Sequence, residues 1–247
     1  MKPKVYIDGK DGTTGLQIYD RLAARDDIDL LLIDEDKRKD PAERKKLMAA
    51  ADIVFLCLPD AAAIEAVALA EGTNARIIDA STAHRTAPGW VYGFPELRPG
   101  QREAIAKAKY VANPGCHATG FISIVAPLVQ AGLLPADADL ACFSLTGYSG
   151  GGKKMIAQYE GADRAEVLSS PGIYGLGQDH KHLPEMQTIC GLTKMPVFSP
   201  IVDDYYKGMA TTVPLHMDQL TGVSTLHEVW QVLADHYAGE RLVRVAP

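Results

Sequence analysis

Cysteine is scarce and scattered in this chain of 247 residues: four in all, at positions 57, 116, 142 and 190, with no Cys-x-x-Cys pair. That spacing excludes a disulfide framework and a zinc cluster of the usual Cys/His kind. A basic excess is also missing. The net charge is −6, and the one dense basic run, Lys37-Arg38-Lys39 with Arg44-Lys45-Lys46 nearby, reads as a solvated helix face. Nucleic acid is therefore not expected as a partner. No apolar run is long enough to span a bilayer, and no signal peptide opens the chain. A soluble, cytoplasmic protein without a membrane partner is expected. Composition is otherwise ordinary, at 47% hydrophobic and 23% charged, which excludes a disordered or fibrous chain and leaves room for two modest domains.

What the chain does have is a regular alternation of strand and helix signals in its first half. A short apolar strand at residues 5–7 runs into Asp8-Gly9-Lys-Asp-Gly12-Thr13-Thr14-Gly15 and then an amphipathic run over 16–22. Glycines at that spacing let backbone amides approach a pyrophosphate at a helix start, although a plain βα turn looks similar. Strands follow at 30–33, 53–58 and 76–79, with helices at 41–51 and 61–70. The alternation predicts a parallel, doubly wound sheet. Asp34 ends the second strand as a ribose-binding acid would, while Lys37 and Arg38 beside it suit a 2′-phosphate, so both NAD and NADP stay open on these residues.

Two loops beyond strand ends in this half carry chemistry. Asp79-Ala-Ser81-Thr82-Ala-His84-Arg85 sets hydroxyls and one guanidinium where open α/β sheets bind ligands; it reads equally as an anion grip or as a capped turn with a surface arginine. The second loop is Tyr110-Val-Ala-Asn113-Pro114-Gly115-Cys116-His117. A strand end, a Pro-Gly turn and a helical apolar pattern from Phe121 to Val129 place Cys116 at a helix N-terminus, where the dipole favours a thiolate. Cys116 is read as a nucleophile.

After Leu134-Pro135 the rhythm changes. Strands are expected at 140–145, 196–202, 209–215 and 242–246, apart from the first sheet. A glycine-rich loop, Thr146-Gly147-Tyr148-Ser149-Gly150-Gly151-Gly152-Lys153-Lys154, suits either ligand wrapping or a flexible link. Tyr174-Gly-Leu-Gly-Gln-Asp-His180-Lys181-His182-Leu-Pro-Glu185 offers two histidines but no further cluster to complete a metal site. A histidine moving protons for a cysteine thiolate is the better reading. Thr225-Leu-His-Glu228 is a capping box that opens a helix through Tyr237, with Leu226, Val229, Trp230, Leu233 and Tyr237 as its inward stripe.

Taken together, Gly9-x-x-Gly12-x-x-Gly15, the 79–85 loop, Gly93-Phe-Pro-Glu-Leu97, Asn113-Pro-Gly-Cys116, Gly147-Tyr-Ser-Gly-Gly-Gly-Lys153 and His180-Lys-His-Leu-Pro-Glu185 resemble the N-acetyl-γ-glutamyl-phosphate reductases of the shorter bacterial type, nearly end to end. The resemblance implies an α/β fold: a Rossmann-type dinucleotide-binding domain over 1–115, then an α+β catalytic and dimerisation domain with a mainly antiparallel or mixed sheet over 116–247. It implies NADPH-dependent reduction of an acyl phosphate to the semialdehyde in arginine biosynthesis, through a thioester on Cys116, by a homodimer or homotetramer. It further implies His180 as acid/base, and His182, Arg85, Ser81, Ser149 and Lys181 on the substrate. Gly9, Gly12, Thr13, Thr14, Gly15, Arg38, Pro59 and Ser81 would hold NADPH.

Three positions depart from the family pattern. His117 stands where an aromatic residue is expected, and Thr146 where serine is usual. The sequence stops at Pro247, where members of this type continue into a last strand and a helix that returns to the nucleotide domain, so weaker NADPH binding is an expectation. The competing readings are an aspartate-semialdehyde dehydrogenase-like enzyme, a Cys–His hydrolase or acyltransferase, and a truncated, inactive nucleotide-binding protein. The first is opposed by the His-Lys-His-Leu-Pro-Glu segment, and the second has no use for the first glycine turn.

Overall fold

Val5, Tyr6 and Ile7 are buried on both faces of β1 (Lys4–Asp8), the pattern of a strand inside a parallel sheet covered on both sides. The computed structural model describes residues 1–9 and 13–247, and leaves the side chains of Thr13, Thr14 and Leu16 undescribed. Two units divide the chain, one of residues 1–93 and 103–114, the other of residues 94–102 and 115–247.

In the first unit β1 is joined by β2 (Asp29–Leu31), β3 (Ile53–Leu56), β4 (Arg76–Asp79), β5 (Val91–Tyr92) and β6 (Tyr110–Ala112) in the order β2-β1-β3-β4-β6-β5. Every pairing is parallel. The connections include helices α1 (Thr13–Ala23), α2 (Pro41–Ala50) and α3 (Asp60–Leu69), with α4 (Gln101–Lys107) before β6. Asp40 caps α2 by accepting from the Ala42 amide, and Pro41 fits the first turn, where its missing N–H costs nothing. The core is one cluster of Tyr6, Met48, Val54, Leu56, Ala66 and Ile77 with their neighbours. Because β2 and β3 flank β1 on opposite sides, the chain reverses direction across the sheet there. The crevice this leaves beyond the carboxyl ends of β1 and β3 is where such sheets take ligands.

Two expected boundaries move. The second strand ends at Leu31, not at 33, and the third ends at Leu56, not at 58. Cys57 still donates its amide to the Asp8 carbonyl at 2.8 Å, so the apolar run outlasts the regular strand by one bond.

The second unit is built on α5 (Cys116–Gln130), whose Ala118, Phe121, Ile122, Val125 and Leu128 are buried. A mixed four-stranded sheet accompanies it: β7 (Ala141–Gly147), β8 (Gly172–Ile173), β9 (Val197–Asp203) and β10 (Met209–Thr212), in the order β10-β7-β9-β8. β7 and β9 run parallel over seven residue pairs, while β10 on β7 and β8 on β9 are antiparallel. Helices α6 (Gly152–Glu160), α7 (Leu183–Cys190) and α8 (Leu226–His236) complete the unit. Among the described residues no helix is long and apolar enough to cross a membrane.

Three expectations are corrected here. Residues 242–246 form no strand: alternation needs a neighbouring edge to pair with, and instead the Ala246 carbonyl accepts from Trp230 Nε1 at 2.5 Å. Leu226 is exposed, outside the inward stripe of α8, although the capping box of Thr225 and Glu228 forms as expected. The strand expected over 209–215 stops at Thr212.

Candidate active site

In the first unit the end of β1 turns at Gly9, whose φ of +90° suits glycine. A Cβ there would sit 2.5 Å from the Cys57 carbonyl oxygen, so the turn is also closed to any side chain by packing. Beyond it lies a pocket lined by Gly9, Arg38, Lys39, Leu58 and Ala62 among others. Glu35 lines the same pocket and accepts from Arg38 Nη1 at 3.0 Å. Gly15 is buried within α1, and Pro59 is exposed just before α3. Gly12 and the side chains of Thr13 and Thr14 lie outside the described residues. Asp8 at the strand end is bonded by Arg44 Nε and Nη2 at 3.1 and 2.9 Å, and Arg44 Nη1 reaches Glu65 at 3.2 Å. This buried ion pair fixes α2 against β1.

The 79–85 loop is organised by Asp79, which is fully buried. Its carboxylate accepts from the Ser81 amide at 2.9 Å and the Ser81 hydroxyl at 2.6 Å, and lies 2.6 Å from His84 Nδ1. His84 stacks on Trp90 with ring centroids 4.1 Å apart. Thr82 bonds Asp60 through both amide and hydroxyl. Arg85 donates through Nε to the Asn113 carbonyl at 3.0 Å and through Nη2 to the Ala80 carbonyl at 3.3 Å. These bonds build the turn: Ser81 closes it on Asp79, and the Arg85 guanidinium is held at its base by backbone carbonyls.

In the second unit Cys116 is the first residue of α5, after Gly115 in extended conformation at the cap. Its side chain is exposed, whereas Cys142 and Cys190 are buried and Cys57 half-buried. Burial pushes the Cys57 thiol up to about 11 and the Cys142 thiol up to about 12, and raises Cys190 further still. Those three are therefore unfit as nucleophiles at neutral pH. The Gly115 carbonyl accepts from both the amide and hydroxyl of Thr119, at 2.8 and 2.9 Å, which pins the first turn.

His117 is buried and ringed by aromatic neighbours, with centroids 5.8 Å from His180, 5.6 Å from His182 and 5.3 Å from Phe198. His180 and His182 lie 4.7 Å apart. The His182 amide donates to His180 Nδ1 at 3.1 Å. In the neutral ring that acceptor leaves the proton on Nε2, which makes this nitrogen a hydrogen-bond donor. His180 is half-buried, His182 buried and Lys181 exposed. Ser149 sits in a single 3₁₀ turn after β7, its amide bonded to the Tyr206 carbonyl at 3.0 Å. Burial and charge on Cys116 push the Tyr174 phenol up to about 12, so that its hydroxyl keeps its proton.

Thus the second unit gathers Cys116, His180 and His182 around His117, while Ser81, Arg85, Gly9, Gly15, Arg38 and Pro59 belong to the first unit. The sequence assigned no role to Glu185, Tyr174 or Ser144. Glu185 is buried in the first turn of α7, and Pro184 followed by an acid is the helix-start signal that would have found it. Tyr174 and Ser144 give no such signal, since only the fold sets them on His117.

Residues 116–247 match the semialdehyde dehydrogenase dimerisation domain, and residues 33–108 the NAD-binding domain of the same family. The N-acetyl-γ-glutamyl-phosphate reductase of Brucella anthropi is 53% identical over 249 residues, covering 100% of this chain and 80% of that protein. A reductase of Nostoc sp., bearing the same name with the suffix 2, is 49% identical over 250 residues, with 100% and 78% covered. Among solved structures, aspartate semialdehyde dehydrogenase II of Vibrio cholerae superposes with a TM-score of 0.70 at 15% identity, covering 95% of this chain and 79% of that one, a likeness of fold alone. The chain belongs to the N-acetyl-γ-glutamyl-phosphate reductases of the semialdehyde dehydrogenase family.

Proposed function

We propose that the chain reduces N-acetyl-γ-glutamyl phosphate to N-acetylglutamate semialdehyde, with release of phosphate, in the cytoplasmic synthesis of arginine. The observation that carries this reading is the exposed Cys116 at the start of α5 with a ring of histidines around its neighbour. Residues 1–115 hold the cofactor and residues 116–247 carry out the chemistry.

The Cys116 sulfur attacks the acyl carbon, the C–O bond to phosphate breaks, and phosphate leaves a thioester on Cys116. Amides of the first turn of α5 stabilise the tetrahedral oxyanion, an effect worth about 3–4 kcal/mol per well-placed donor. NADPH, when bound, supplies the hydride that reduces the thioester carbon. His180 donates a hydrogen bond through Nε2–H to the oxygen of the resulting thiohemiacetal, sharing that proton as charge builds there and keeping it as the C–S bond breaks, which frees aldehyde and the Cys116 thiolate. His182, Arg85, Ser81, Ser149 and Lys181 hold the phosphate and the α-carboxylate. Gly9, Gly12, Thr13, Thr14, Gly15, Arg38, Pro59 and Ser81 hold NADPH, with Arg38 on its 2′-phosphate.

Assembly is as a homodimer or a pair of dimers. The outward face of the second sheet supports this, since Phe143, Ile173 and Val197 are exposed there. The reaction is tested in reverse: purified protein is given NADP⁺, phosphate and either N-acetylglutamate semialdehyde or aspartate semialdehyde. NADPH formation with the first only is expected. Turnover of the second at an equal rate overturns the substrate assignment.

A further inference from the structure

Six charged side chains line the pocket beyond β1, three of each sign. Arg44 is engaged inside the protein: its Nε and Nη2 bond Asp8, and its Nη1 bonds Glu65. Glu35, Arg38 and Lys39 are then the charges a ligand meets at the rim. Glu35 and Arg38 lie one turn apart on a short 3₁₀ segment, with Arg38 Nη1 donating to Glu35 Oε1 at 3.0 Å. Asp34, the acid that the sequence offers to a ribose, pairs instead with Lys37 Nζ at 3.0 Å, and among the described residues neither of these lines the pocket. We propose that Glu35 is the specificity-determining residue of this pocket: its carboxylate accepts from a ribose 2′-hydroxyl and competes with a 2′-phosphate for Arg38, so that NADH is admitted beside NADPH. The inference rests on reading the pocket as the cofactor site.

The residues present fit a dinucleotide. Ile33, Leu58 and Ala62 give the pocket apolar walls that suit an adenine, and Gly9 brings no side chain to the turn where a pyrophosphate would lie. The adenosine ribose joins those two groups, and in sheets of this kind it is held just beyond the second strand, where Glu35 stands. The two cofactors differ only there. A carboxylate accepts and a ribose hydroxyl donates, so NADH gains a charge-assisted hydrogen bond while Arg38 keeps its bond to Glu35. A 2′-phosphate carries a charge of about −1.5 to −2 at neutral pH and has little to donate. It takes the Arg38 fork by displacing Glu35, and the displaced carboxylate remains beside it on the same turn. An exposed ion pair is weak, so the exchange occurs, but the repulsion outlasts it. One side chain thus favours one cofactor and opposes the other.

The test is a fluorescence titration of the full chain with NADH and with NADPH, and it needs no turnover. Asp34, Glu35 and Arg38 are all exposed, so substitutions there should leave the fold intact. The wild type should bind NADH at most about tenfold more weakly than NADPH, since the gain from the phosphate is offset by the lost pair and the repulsion. Glu35→Gln keeps the length and an acceptor oxygen but removes the charge: NADPH should bind about fivefold tighter and NADH about fivefold more weakly. Arg38→Met should weaken NADPH by at least about tenfold and NADH by no more than about twofold. Asp34→Asn should move neither. A wild-type preference for NADPH beyond about a hundredfold, or an effect of Asp34→Asn as large as that of Glu35→Gln, would overturn the proposal. Equal movement of both cofactors in Glu35→Gln, or no movement of either, would overturn the role of Glu35 while leaving the pocket as the cofactor site. Failure of both cofactors to bind the wild type would overturn that reading of the pocket and this inference with it.

Discussion

Glu185 accepts a hydrogen bond from the Gly115 amide at 2.7 Å, across a sequence separation of 70 residues, and both are buried. The amide precedes Cys116 by one residue, so a side chain of α7 fixes the turn that presents that thiol. Glu185→Ala leaves a buried donor unsatisfied, at a cost of about 1–3 kcal/mol. Glu185→Gln keeps an acceptor oxygen and should recover most of that stability. Urea denaturation and kcat, measured on both variants, check this: kcat should fall in the alanine variant by more than in the glutamine variant.

Gly9→Ala tests the nucleotide turn. Its φ of +90° and the 2.5 Å approach to the Cys57 carbonyl act together, so even the smallest side chain strains the turn by about 1–3 kcal/mol. NADPH titration followed by fluorescence should find binding weakened at least tenfold, with the thermal transition lowered. Unchanged affinity would remove this turn from the cofactor site.

Arg85→Ala separates the two roles of its loop. A charge-assisted hydrogen bond is worth about 1.5–3 kcal/mol, so losing an anion clamp should raise KM for the acyl phosphate by about ten- to a hundredfold while KM for NADPH changes little. Equal changes in both constants would mean that Arg85 serves to build the loop, as in its bonds to the Ala80 and Asn113 carbonyls, and not to grip the substrate.

His117 makes stability depend on pH. Its unfolded value is near 6.5 and its folded value about 4, so the folded state resists protonation. Above pH 6.5 both states are neutral and nothing is lost. As pH falls from 6.5 to 4 the unfolded state binds the proton first, and about 3 kcal/mol of stability is lost. His117→Gln carries no such group, so the stability difference between it and the wild type should shift by that amount in favour of the variant over the same window. Denaturant midpoints at several pH values measure it.

Much of this was legible in the sequence because local chemistry wrote it there. The strand-turn-helix at 110–116 places Cys116 as the Pro-Gly signal requires, and the capping box at Thr225 forms as read. The parallel sheet followed from alternation alone. What local pattern could not supply was pairing across the chain. The apolar alternation at 242–246 finds no neighbouring edge, and the parallel match of β7 to β9 joins residues more than fifty apart. The same limit hid Ser144 and Tyr174, which are unremarkable in sequence and meet only on His117.

The central claim is an acyl group carried by Cys116. Protein mixed with N-acetyl-γ-glutamyl phosphate in the absence of nicotinamide, quenched in acid and mapped by mass spectrometry should carry one N-acetylglutamyl group on the peptide containing Cys116, and none in Cys116→Ala. An unmodified Cys116 peptide, in protein that still turns over when NADPH is added, would contradict it.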